Sequence, residues 1–212
     1  MRYYRELDIE FDEIKEAILK DYSEKTMGRF WNPIEQNHLD ILQRMFKPLN
    51  ITPVEYVLIN ANTKTYTVHT DISIQPFRIN IPILNCEHSS THFFRVKDKK
   101  IFEKKIDDVR NRNIEIGNWP GLGPYGTPGA TKLDLYQESL HRQGIAGADY
   151  VKYDLSEVEL VSQVKLLKPS VLRIKEPHAV AVTKKGISRL SLTVEFKENL
   201  EPLLEHGSMP QP

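Results

Sequence analysis

The chain has 212 residues, 40% of them hydrophobic and 27% charged, with 29 basic and 29 acidic side chains. That length suits one domain with a sizeable core, and zero net charge gives no electrostatic footprint for nucleic acid or an anionic membrane. A single cysteine, Cys86, excludes an internal disulfide framework, and no apolar run is long enough to span a bilayer. The first residues, MRYYRELDIEFDE, are too charged for a signal peptide, so the expectation is a soluble, cytoplasmic, single-domain protein over residues 1–212.

Residues 1–50 are expected to be helical support. Ile9, Ile14, Ala17, Ile18 and Tyr22 recur near helical spacing with charges between them. A second helix is expected from Asn32-Pro33, where Asn can cap and Pro fits the first turn. Its apolar face would be Ile34, Leu39, Leu42, Met45 and Phe46, ending before Pro48. Both helices are predicted to pack on a sheet.

From Val54 the pattern turns to strands. VEYVLINANTKTYTVHTD predicts two short strands around a polar turn. FRINIPIL alternates, with Phe77, Ile79, Ile81 and Ile83 on one face and Arg78 and Asn80 on the other. THFFRV, SVLRIKE, HAVAVT and SRLSLTVEF add further strands. Many short strands predict a mainly β fold, a sandwich or barrel and most simply a jelly roll, with its core over 51–96 and 150–200.

Residues 97–149 form an insertion between the two β groups. Its stretch GNWPGLGPYGTPG, residues 117–129, is too rich in Gly and Pro for a regular element, and a helix is expected around 133–142. Two readings stay open: a substrate lid with Trp119 and Tyr125 as contact residues, or a surface loop tethered by those aromatics.

His69-Thr70-Asp71 ends a predicted strand, and residues two apart on a strand project to one face. An imidazole and a carboxylate there can converge on one ion, with His178 as a candidate third ligand from the C-terminal β region. Two neutral imidazoles and one carboxylate make the facial set of non-haem iron(II) sites, which leaves adjacent coordination positions open. Arg189 and Ser191 lie two apart on the last strand; a guanidinium fork and a hydroxyl suit a carboxylate. Taken alone, His-x-Asp is a weak signal, and the downstream residues carry most of the weight.

The string HTDISIQPFRINIPILN, with VLRIKEPHAV and SRLSLTVEF, resembles the 2-oxoglutarate/Fe(II)-dependent oxygenase superfamily. The resemblance covers roughly residues 66–96 and 168–196. It implies a double-stranded β-helix (jelly roll), with Fe(II) on His69, Asp71 and His178 and the 2-oxoglutarate co-substrate on Arg189 and Ser191. Within the superfamily, Arg78-Ile79-Asn80-Ile81-Pro82 is similar to the aspartyl/asparaginyl β-hydroxylase-like branch, whose members commonly carry His where this chain has Asn80. That likeness implies that Arg78 and Asn80 contact the metal-proximal carboxylate of 2-oxoglutarate. It implies hydroxylation of an amino-acid side chain, free or in a peptide, while the zero net charge separately leads us to expect no nucleic-acid or membrane partner.

Alternatives are a non-catalytic jelly-roll ligand-binding module and a cupin-like metalloenzyme. Cys86, Glu87, His88 and His92 offer a rival set of zinc-ligand types, and Thr91 or His92 is a candidate substrate contact. The sequence has no nucleophile elbow, phosphate-binding Gly loop or Cys-x-x-Cys pair.

Overall fold

A computed structural model describes residues 1–21, 31–62, 68–71, 76–105 and 150–208. The Gly/Pro-rich stretch with Trp119 and Tyr125, the helix expected over 133–142 and the tip of the turn after residue 62 lie outside these residues.

The strands are β1 (Tyr4–Glu6), β2 (Trp31–Pro33), β3 (Pro53–Asn62), β4 (Val68–Asp71), β5 (Phe77–Leu84), β6 (Ser89–Val96), β7 (Tyr150–Tyr153), β8 (Val158–Val164), β9 (Ser170–Arg173), β10 (His178–Val182) and β11 (Arg189–Phe196). Helices α1 (Asp12–Asp21) and α2 (Gln36–Phe46) precede β3, residues 99–105 are helical, and a short helix covers Glu201–His206. Among the described residues the strands make two antiparallel sheets, one in the order β1-β9-β5-β11-β3-β2 and one in the order β7-β4-β10-β6-β8. From β3 to β6, and again from β8 to β11, the chain crosses between the two sheets at every step. The mainly β expectation therefore holds.

The two-residue period assigns the faces. Phe77, Ile79, Ile81 and Ile83 of β5 join Leu190, Leu192, Val194 and Phe196 of β11 under Ile14 and Ile18 of α1 and Leu42 and Phe46 of α2. Phe46 meets Phe196 edge-on at 4.7 Å between ring centroids. Burying each such aliphatic or aromatic side chain stabilises by roughly 1.5–3 kcal/mol, so the apolar face of this sheet is committed to the helices. Its polar face, with Arg78, Asn80, Ser191, Thr193 and Glu195, must then turn towards the second sheet. The second sheet buries Val68, Phe94, Val151, Tyr153 and Ala179 on its far side, packed against Phe102 of the 99–105 segment. Phe93, Val164, Leu166, Leu172 and Ile174 form a third cluster that ties the two sheets together.

One local expectation is corrected. Asn32-Pro33 does not open a helix: Trp31–Pro33 pairs with β3, and α2 starts at Gln36 after an extended Glu35. Among the described residues β2 lies at the sheet edge, a position where proline is tolerated. The expected end before Pro48 holds: α2 stops at Phe46, and Pro48 lies in a separate 3₁₀ turn, Lys47–Leu49, which closes on Asn50 in the left-handed region. Strands β1, β7 and β8 and the C-terminal helix add to the elements expected from the sequence. No helix of the described residues is long and apolar enough to cross a membrane.

Candidate metal centre

β10 lies between β4 and β6, and its first residue sets the site. His178 is directly opposite His69 in the antiparallel register. Opposite residues share a face with their Cβ atoms about 4.5–5.5 Å apart, so the two imidazoles must meet. Their ring centroids are 4.5 Å apart with the planes tilted by 51°. Asp71, two residues past His69, joins them: its Oδ1 is 3.6 Å from His69 Nε2. One donor atom from each of His69, Asp71 and His178 falls within 4.8 Å of the others. Two imidazoles and a carboxylate gathered in this way are a donor set that fits a divalent cation.

The electrostatics suit a cation. His178 Nδ1 is 2.9 Å from the carbonyl oxygen of Glu176, which can only accept, so Nδ1 carries the proton and Nε2 presents its lone pair. Burial, then the neighbouring His69 imidazole, pushes the His178 pKa from its ordinary 6.5 down to about 4. The ring is therefore neutral near pH 7 and ready to donate. Burial of Asp71 would raise its pKa, but the Arg78 guanidinium and the two imidazoles outweigh that and hold the carboxyl below its ordinary value.

A pH dependence of stability follows for the metal-free protein. Above pH 6.5 His178 is neutral whether the chain is folded or not. As pH falls from 6.5 towards 4, the unfolded chain takes up a proton that the folded chain refuses. This one group should therefore cost on the order of 3 kcal/mol of stability by pH 4. Denaturant unfolding of wild type and His178→Gln between pH 7 and pH 4 checks it, since the variant should lack that part of the loss. Equal pH dependence in the two proteins would contradict the assignment.

Opposite this cluster lies the polar face of β5 and β11. Arg78 Nη1 donates to Asp71 Oδ2 at 2.7 Å, and its Nε donates to Glu195 Oε1 at 3.0 Å. On the next rung the Thr193 hydroxyl donates to Asn80 Oδ1 at 2.8 Å. Farther along β11, Ser191 and Arg189 are buried, and the Ser191 hydroxyl has no hydrogen-bond partner among the described residues. The seven residues assigned from the sequence to the iron and its co-substrate thus lie on β4, β5, β10 and β11. The structure places Arg78 on the candidate metal carboxylate itself, a contact that the sequence did not suggest. Glu195 was likewise missed.

The register separates Thr91 from His92. Thr91 is opposite Val180, on the His178 side of β10, whereas His92 is opposite Ala179, a residue of the outer core. His92 Nε2 lies 2.8 Å from the Ser90 hydroxyl on that outer face. Cys86 is buried, with its thiol 3.1 Å from the Leu190 carbonyl oxygen. Burial pushes the pKa of that thiol up. A second group of ligand types, Asp21, Glu35 and His38, has two exposed carboxylates; its His38–Asp21 contact of 2.9 Å ties α2 to α1.

In comparisons with known proteins, the sequence matches no family model and no curated protein.

Proposed function

We propose that the chain is an Fe(II)- and 2-oxoglutarate-dependent dioxygenase on a double-stranded β-helix. The observation that carries the proposal is the convergence of His69, Asp71 and His178 across the β4–β10 register, opposite the polar face of the other sheet, which contains a buried Arg189. Alternation of successive strands between two antiparallel sheets is the winding that such a fold requires. Two imidazoles and one carboxylate are the donor set of the non-haem iron oxygenases.

His69, Asp71 and His178 would hold the iron, which when bound supplies the activation of dioxygen with 2-oxoglutarate as electron donor. The remaining residues bind and orient. Arg189, buried on β11, carries a planar fork of donors that suits a carboxylate. The Ser191 hydroxyl, on the same face and two residues away, can add a donor to that anion. Asn80 keeps its amide N–H donors while its oxygen accepts from Thr193. The resemblance of Arg78-Ile79-Asn80-Ile81-Pro82 to the β-hydroxylase-like branch favours an amino-acid side chain, free or in a peptide, as substrate.

Anaerobic titration with Fe(II) and then 2-oxoglutarate tests this reading. The weak visible charge-transfer band of a 2-oxoacid chelated to Fe(II) is expected. Iron binding with no band on adding 2-oxoglutarate would instead support a cupin-like metalloenzyme, and binding of neither would leave a ligand-binding module.

A further inference from the structure

We infer that Glu195 is a positioning residue for the metal carboxylate: it holds Arg78, and Arg78 in turn holds Asp71. The inference rests on the metal reading above and adds a residue to it.

A carboxylate can offer a metal one oxygen or both. A site that must keep adjacent positions open for other ligands needs each protein side chain to give a single atom. Asp71 has its two oxygens on different duties. Oδ2 accepts a charge-assisted bond from Arg78 Nη1 at 2.7 Å, a length typical of a strong pair. Oδ1 is the oxygen turned to His69 Nε2, at 3.6 Å. Arg78 thus leaves Oδ1 as the atom for the metal.

A guanidinium at the end of a long, flexible stem does not fix a neighbour unless it is itself fixed. Glu195 provides that anchor by accepting from Nε at 3.0 Å, so two different nitrogens of one planar fork are held by two carboxylates. The sheet register brings the pair together. Thr193 is directly opposite Asn80, so Glu195 and Arg78, each one step of two residues beyond, share the next rung on the same face. All three side chains are largely buried, at 13% exposure for Arg78, 17% for Asp71 and 22% for Glu195. A buried ion pair is weak evidence of a stabilising role, whereas fixing a ligand's direction is a use that its geometry serves.

The test is anaerobic Mn(II) binding to the full chain, followed by electron paramagnetic resonance, with apo melting temperatures recorded alongside. Glu195→Ala removes the anchor and should weaken Mn(II) binding about 10- to 100-fold, the range for residues that orient a ligand. Glu195→Gln keeps an oxygen that can accept from Arg78 Nε and should recover most of the affinity. Arg78→Lys is a second variant, in case Glu195→Ala folds poorly. It keeps the charge but has no planar fork to join two carboxylates, so it should also bind Mn(II) more weakly.

Wild-type affinity in Glu195→Ala or in Arg78→Lys would overturn the relay. So would a Glu195→Gln protein as weak as Glu195→Ala, since charge alone would then explain the loss. If wild type binds Mn(II) and Asp71→Ala does not, any of these results defeats the relay and leaves the metal reading standing. If wild type itself binds no Mn(II), the metal reading fails and the relay with it.

Discussion

Replacing His178 by alanine should abolish Fe(II) binding. Three donors converge on this site, and two of them, His69 and Asp71, leave the same short strand, while His178 alone comes from β10. Without it, an ion would be held from one side by one imidazole and one carboxylate oxygen. The loss should exceed the 10- to 100-fold typical of removing an outer partner, and no 2-oxoglutarate charge-transfer band should form. Anaerobic Fe(II) titration measures the effect directly. The metal-free variant should still fold, because the imidazole contributes no apolar core and its neutral burial carries an acid-side penalty. A folded His178→Ala protein that binds iron like wild type would remove the basis of the triad.

Arg189→Met separates co-substrate from metal. Methionine replaces the apolar stem of the arginine while deleting its five N–H donors, so packing in this buried position suffers less than with alanine. Truncating one partner of a buried charge pair costs roughly 2–5 kcal/mol, or about 30-fold to a few thousand-fold in affinity. That loss should fall on 2-oxoglutarate, measured by anaerobic titration of the Fe(II)-loaded protein, while Mn(II) affinity stays near wild type. Unchanged 2-oxoglutarate affinity would place the anchor elsewhere. A parallel loss of Mn(II) affinity would mean that Arg189 supports the fold of the site rather than the co-substrate.

Strict periodicity made part of this fold legible in the sequence. In FRINIPIL and RLSLTVEF each alternate position is aliphatic or aromatic, and those positions form one continuous core under α1 and α2. His69 and Asp71 were legible because residues two apart on a strand need no long-range information to share a face. His178 was visible only as one histidine among seven with a suitable neighbourhood, and its pairing with His69 is a fact of register. What escaped depends on distant partners. Trp31-Asn32-Pro33 carries the signature of a helix start, yet β3 captures it as an edge strand. β8 is an edge strand too, with Leu160 half exposed, so its pattern lacks clean alternation. Glu195 sits at an ordinary polar position of an alternating strand, and only the fold brings it to Arg78.

The opposition of His69 and His178 also has a consequence in time. During synthesis, Asp71 leaves the ribosome about 5–20 s before His178, at typical elongation rates of about 5–20 residues per second. β10, which carries the third donor, must then enter between two strands made earlier, β4 and β6. The growing chain therefore lacks the third donor until β10 has been made. An ion would meet all three donors only once β10 has been made and paired, where it would help to hold β10 in place.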